Sequence, residues 1–180
     1  MPSSEAFTPG PAISFVRRVA KSGTQSSAQA DASHRQRVAA DLHRISALAA
    51  PHSISVSCEF HDNTLNDHAA STLEMLKLAD QPNLKTYWQP RHGQPTAVGL
   101  QELRELASWL THIHVFHWWP EAAHRHPLAD GLDRWTAFFD QIQKIPGDRY
   151  ALLEFVQDNS PEMFLADAAT LKKMIARSGP

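Results

Sequence analysis

From about residue 13 to its end the chain alternates between short apolar runs of strand character and longer segments with helical apolar spacing. The strand-like runs are residues 13–19 (ISFVRRV), 53–59 (SISVSCE), 84–89 (LKTYWQ), 111–120 (THIHVFHWWP) and 150–156 (YALLEFV). Val38, Leu42, Ile45 and Leu48 make the apolar stripe of a helix over residues 34–50, ended by Pro51. Asp67 can cap a second helix, to residue 79, with Leu73 and Leu76 inward. Leu100, Leu103, Ala107 and Leu110 mark a third. Trp135, Phe138, Phe139 and Ile142 mark a fourth, closed by Pro146 and Gly147, and Ser160-Pro161 opens a fifth with Leu165, Leu171 and Ile175 inward. Strand, helix, strand, helix in this order means parallel strands joined by right-handed helical crossovers. Five such units in 180 residues are short of a full eight-fold barrel, which needs about 250.

Apolar content of 42% against 20% charge fits one folded domain with a real core. The net charge of -2 and pI near 6.6 leave no footprint for nucleic acid or an anionic membrane. A lone Cys58 excludes an internal disulfide and a cysteine-rich zinc site. No apolar run reaches spanning length and no signal peptide is recognisable, so a cytoplasmic protein is expected. Residues 1–11 are rich in Pro, Ser and Gly and read as a loose tail ahead of a domain over residues 12–180.

In α/β folds the site gathers at the C-terminal ends of the strands. Those ends carry Glu59, Gln89, His114 and Glu154. Two carboxylates, an imidazole and an amide oxygen form a donor set for a divalent cation such as Mn, Mg, Co or Zn. Along residues 111–115, His112 and His114 point to one side and Ile113 and Val115 to the other. Imidazoles on the inner side of a buried strand require partners.

Several segments carry a resemblance. Ser57-Cys58-Glu59-Phe60-His61, Tyr87-Trp88-Gln89-Pro90-Arg91-His92, Thr111-His112-Ile113-His114, Pro127-Leu128 through Gly131 to Trp135, and Leu152-Leu153-Glu154 together resemble the sugar phosphate isomerase/epimerase family with a xylose-isomerase-like TIM barrel. Its relatives include ketose 3-epimerases and, more distantly, the endonuclease IV type of repair nuclease. The resemblance implies a partial (β/α)8 TIM barrel of about five parallel strands, beginning at the family's fourth strand, so that the first three are missing. It implies metal ligands at Glu59, Gln89, His114 and Glu154, an acid/base pair in Glu59 and Glu154, and substrate contacts from His61, His92, His117, Trp88 and Trp118. Gln89 stands where the family carries an aspartate, which lowers the negative charge of the site and predicts a metal held weakly or not at all.

The expected activity is metal-assisted proton transfer on a ketose or aldose, the partner a small sugar or sugar phosphate. The alternative is a degenerate, truncated barrel acting as a non-enzymatic binding domain. A barrel lacking strands would expose two edges, which predicts self-association or pairing with a missing N-terminal half.

Overall fold

The computed structural model describes residues 17–20 and 22–177. The expected tail, and the first part of the expected strand at residues 13–19, lie outside the described residues. Five parallel strands form one sheet, and each lies beside its neighbour in the chain. They are β1 (Arg17–Ala20), β2 (Ser55–Cys58), β3 (Leu84–Trp88), β4 (Leu110–Val115) and β7 (Tyr150–Leu153). Helices α1 (Ala32–Ala49), α2 (Ala69–Ala79), α3 (Thr96–Glu105) and α4 (Leu132–Ile142) form the crossovers, and α5 (Pro161–Arg177) follows β7. The order in sequence is the order in space, as a barrel wall requires. It is a partial α/β barrel.

Each strand divides its residues between two faces. On the helix side, Trp88, Ile113 and Val115 join Trp135, Phe138 and Phe139 of α4 in the larger core cluster. Val56, Cys58 and Leu84 join Ala39 and Leu42 of α1 and Met75 and Leu76 of α2 in a second. The concave face carries the polar residues. The ladder pairs His112 with Tyr150 and His114 with Leu152. A register shift between Thr86 and Tyr87 then pairs Tyr87 with His112 and Trp88 with Ile113. One further step along that register sets Gln89 beside His114.

Several local expectations change. On α1 the buried residues are Ala39, Leu42 and Ser46, while Ile45 and Leu48 are exposed. The small Ala39 and Ser46 side chains let the helix lie close against its neighbours, which rotates the bulkier residues out. The α2 cap is His68, whose ring accepts from the Ser71 amide, while Asp67 accepts from the Ser27 amide and hydroxyl. Leu110 opens β4 rather than closing α3. Residues 121–131 are not plain loop: β6 (Arg125–His126) lies within them and pairs with β5 (His117–Trp118) as an antiparallel hairpin. On α5 Leu165 and Ile175 are exposed, and Asp167, Leu171 and Met174 face inward. Asp167 is buried because its carboxylate accepts the Leu128 amide at 2.9 Å.

Among the described strands, β1 and β7 each have a single neighbour, so the sheet is open. On the concave face of β7, Tyr150 is 61% exposed and Leu152 39%. Unpaired strand edges beside apolar surface template further pairing. Sedimentation velocity is therefore expected to show concentration-dependent association, and a monomer invariant over a hundredfold dilution range would contradict it.

Candidate metal and proton-transfer site

The site is assembled by three strand ends. Glu59 follows β2, His114 lies near the end of β4, and Glu154 follows β7. Glu154 continues the β4–β7 ladder, its amide donating to the Val115 carbonyl at 3.1 Å. The ligand atoms of Glu59, His114 and Glu154 all lie within 4.8 Å of one another. The side chains are 16%, 13% and 22% exposed, so the cluster is shielded yet reachable.

One ring nitrogen is the centre of this arrangement. His114 Nδ1 lies 2.8 Å from Gln89 Oε1, 3.2 Å from Glu154 Oε2 and 3.6 Å from Glu59 Oε1. The Glu154 contact is within ion-pair reach but lacks hydrogen-bond geometry, which leaves Glu154 Oε2 a buried oxygen with no hydrogen-bond partner. A buried carboxylate oxygen without a donor is costly unless a cation meets it. Three hard oxygens and one imidazole fit a divalent cation of the Mg, Mn, Co or Zn kind. With the Gln89 oxygen as acceptor, Nδ1 carries the hydrogen here. A cation needs that nitrogen's lone pair, so proton and metal compete for it.

The other expected site residues separate into two groups. Gln89, His61, His92 and Trp118 line a cleft of about 220 Å³ together with Glu154. Trp88 does not. It is fully buried on the helix side, its indole N–H donates to Glu102 Oε2 at 3.2 Å, and its ring meets Phe138 edge-on. The reason is alternation: Trp88 precedes Gln89 on one strand, so the two face opposite ways. His117 is not among the residues that line the cleft. Its ring packs on Gly131, where an added Cβ would stand 2.6 Å from Nδ1. His112 is 4% exposed and accepts the Tyr150 amide through Nδ1 at 3.2 Å, so it is a core histidine below the site.

Sequence reasoning passed over Asp62, Arg91, Arg125 and Phe155, all of which line the cleft. Arg91 was legible as part of the matched strand, but its role was not: it pairs with the buried Glu102 at 3.2 Å. Burial outweighs that pairing and raises the Glu102 pKa. Arg125 and Phe155 come to the cleft through the β5–β6 hairpin and the loop after β7. That loop holds Phe155, Asp158 and Asn159 at φ of 38°, 55° and 50°. For the phenylalanine this is a disfavoured left-handed conformation, tied down by the Trp118 indole N–H donating to its carbonyl at 3.0 Å.

A larger hollow, about 540 Å³, lies at the opposite end of the strands among Lys85, Leu110, Ile145 and Arg149. Arg149 there is consumed by the carbonyls of Leu110, Ile145, Pro146 and Gly147, and Asp148 is the sole carboxylate among its lining residues.

Burial lowers the pKa of both His92 and His117. The folded protein therefore binds fewer protons at these sites than the unfolded chain. Their stabilising contribution is complete above the unfolded imidazole pKa of about 6.5 and is lost as pH falls below it. The melting temperature of the parent is expected to drop more steeply between pH 7.5 and 5.5 than that of His117→Asn. Parallel profiles would show that His117 is not held neutral by the fold.

Three comparisons bear on this geometry. A 3-dehydroshikimate dehydratase of Bacillus anthracis is 28% identical over 167 residues, covering 83% of this chain and 59% of that protein. The chain thus spans less than two thirds of this relative's length. The crystal structure of a probable 3-DHS dehydratase from Bacillus anthracis superposes with a TM-score of 0.74 at 24% identity, over 87% of this chain and 63% of that one. A D-tagatose 3-epimerase-like protein superposes with a TM-score of 0.71 at 15% identity, over 90% and 62%. These structural likenesses are of fold. Among the described residues no helix is long and apolar enough to cross a membrane. The model of the xylose isomerase-like TIM barrel family matches residues 12–174, and the chain, with its parallel half-barrel and its carboxylates and histidine at three strand ends, belongs to that family.

Proposed function

We propose that this chain carries the catalytic rim of an enzyme that moves a proton at the carbon next to the carbonyl of a small polyhydroxylated ketone. The observation that carries the reading is the convergence of Glu59, His114 and Glu154, with one buried Glu154 oxygen left unpartnered. A cation held there by Glu59, His114, Glu154 and, through its neutral oxygen, Gln89 would polarise a bound carbonyl and acidify the neighbouring C–H. Each glutamate has two oxygens. One faces the common centre and the other is available to take or return a proton. One carboxylate removes the proton from carbon and the electron pair moves onto the carbonyl oxygen. Return of a proton to the opposite face inverts the centre. Protonation of a β-hydroxyl as it departs removes water instead.

Both outcomes share the first step, which agrees with a likeness to both an epimerase-like protein and a dehydratase. The higher identity to the dehydratase favours water loss from a cyclic hydroxy-ketone as the second reading. Incubation with a divalent cation in deuterium oxide tests the common step, using fructose, fructose 6-phosphate and 3-dehydroshikimate. Deuterium appearing beside the carbonyl of any of them supports the proposal. No exchange with any, and no bound metal, leaves the non-enzymatic binding domain as the better account.

Gln89 supplies a further prediction. Its amide presents a neutral oxygen and also takes the hydrogen of His114 Nδ1. Gln89→Asp adds a charge to the donor set, and divalent binding measured by calorimetry is expected to tighten at least tenfold. Unchanged affinity would place Gln89 outside the coordination sphere.

A further inference from the structure

Of the charged side chains that line the cleft and that proton transfer does not use, Asp62, Arg91 and Arg125, the guanidinium of Arg125 is the cation that stands apart from a carboxylate. It lies 5.0 Å from the ring centroids of both Trp118 and Phe155. It donates to Asn159 Oδ1 at 2.9 Å. Among the described residues no carboxylate comes within ion-pair distance of it. The other arginine of the cleft differs, because Arg91 is neutralised by Glu102.

The surroundings of Arg125 are built from two directions. The β5–β6 hairpin pairs Trp118 with Arg125 directly. The bent loop after β7 delivers Phe155 and Asn159, both with positive φ. Two aromatic faces and one amide oxygen hold the guanidinium in place and engage only one of its five N–H donors. His92, stacked on Trp118 at 5.4 Å, is driven toward its neutral form by burial and adds little competing charge. A fixed cation on a cleft wall, with a free donor fork and no counter-ion, is the arrangement that receives a carboxylate or a phosphate.

We infer that Arg125 determines specificity by binding an anionic group, a carboxylate or a phosphate, on the small ketone that the cleft takes. This rests on the proton-transfer reading for the rest of the substrate. The cleft volume of about 220 Å³ suits a compact ligand of that kind, smaller than a drug-sized one. The anion at Arg125 and the carbonyl at Glu59, His114 and Glu154 are then two attachment points that orient one molecule.

Calorimetry on the parent chain, with fructose, fructose 6-phosphate and 3-dehydroshikimate as probes, tests this. At least one anionic probe is expected to bind about ten- to a hundredfold more tightly than fructose, the range of a charge-assisted hydrogen bond. Which one does so decides between phosphate and carboxylate. Arg125→Met should erase the preference by weakening the anionic probes about ten- to a hundredfold while weakening fructose far less, and Arg125→Lys should restore part of it, since the charge returns without the fork. Equal affinity for all three probes, no binding of either anion, or an equal loss for fructose and the anions in Arg125→Met each overturns the inference. The two readings fail separately. Anion preference without deuterium exchange refutes proton transfer and keeps Arg125. Exchange that is indifferent to substrate charge and to Arg125→Met refutes the role of Arg125 and keeps proton transfer.

Discussion

Replacing Glu154 by glutamine is expected to slow solvent-deuterium exchange into the ketone substrate by about a hundred- to ten-thousand-fold, the usual cost of losing a positioned acid or base. The fold should survive, because the Glu154 side chain is 22% exposed and its amide, not its carboxylate, carries the ladder bond to Val115. Glutamine keeps the shape and one oxygen, so circular dichroism should not change. What it removes is the charge that would hold a cation and the basic oxygen that accepts the proton. Glu59→Gln should behave alike, since Glu59 Oε1 approaches the same His114 nitrogen from the other side in chain order. His112→Asn is the control. That ring accepts the Tyr150 amide inside the core, so its loss should lower stability and leave exchange per folded molecule near the parental rate. If Glu154→Gln exchanges deuterium as fast as the parent, Glu154 is a ligand at most and the acid/base assignment is wrong.

The parts of this architecture that were legible from sequence are those set by period and position. Alternation of strand and helix predicted parallel strands joined by helical crossovers, and the family resemblance predicted that they form part of a barrel. The strand-end rule predicted that Glu59, Gln89, His114 and Glu154 would meet, although they are spread over nearly a hundred residues. What period alone does not specify is which side of a helix meets a neighbour. The α1 stripe of Val38, Leu42, Ile45 and Leu48 was a fair apolar face, yet close packing selected Ala39 and Ser46 around Leu42. Resemblance misled at Trp88, where it suggested a sugar wall. The strand alternation around Gln89 already argued against this, since neighbours on a strand cannot share a face. The Arg125 environment was not legible at all. It depends on a two-residue strand pair and on three left-handed backbone positions, and neither leaves a periodic trace.

Trp88→Ala is therefore expected to destabilise the protein by about 3–5 kcal/mol, the range for emptying a large aromatic site in a packed core. Trp88 is 0% exposed, and its ring stands 4.9 Å from that of Phe138. The approach of α3 to these rings is close enough to require glycine: an added Cβ at Gly99 would lie 2.8 Å from Phe138 Cε1 and 3.1 Å from Trp88 Cζ2. Truncation would open a void beneath that contact and also remove the indole donor from Glu102 Oε2. A buried carboxylate whose pKa burial already raises would then be left with Arg91. Trp88→Phe separates the two effects, because it keeps most of the volume and loses only the N–H. It should cost about 1–3 kcal/mol, the penalty for an unsatisfied buried acceptor. Urea unfolding gives both values, and calorimetry on the folded fraction should show ligand affinity within about twofold of the parent. A Trp88→Ala protein with parental stability and much weaker ligand binding would return Trp88 to the cleft and contradict the face assignment of β3.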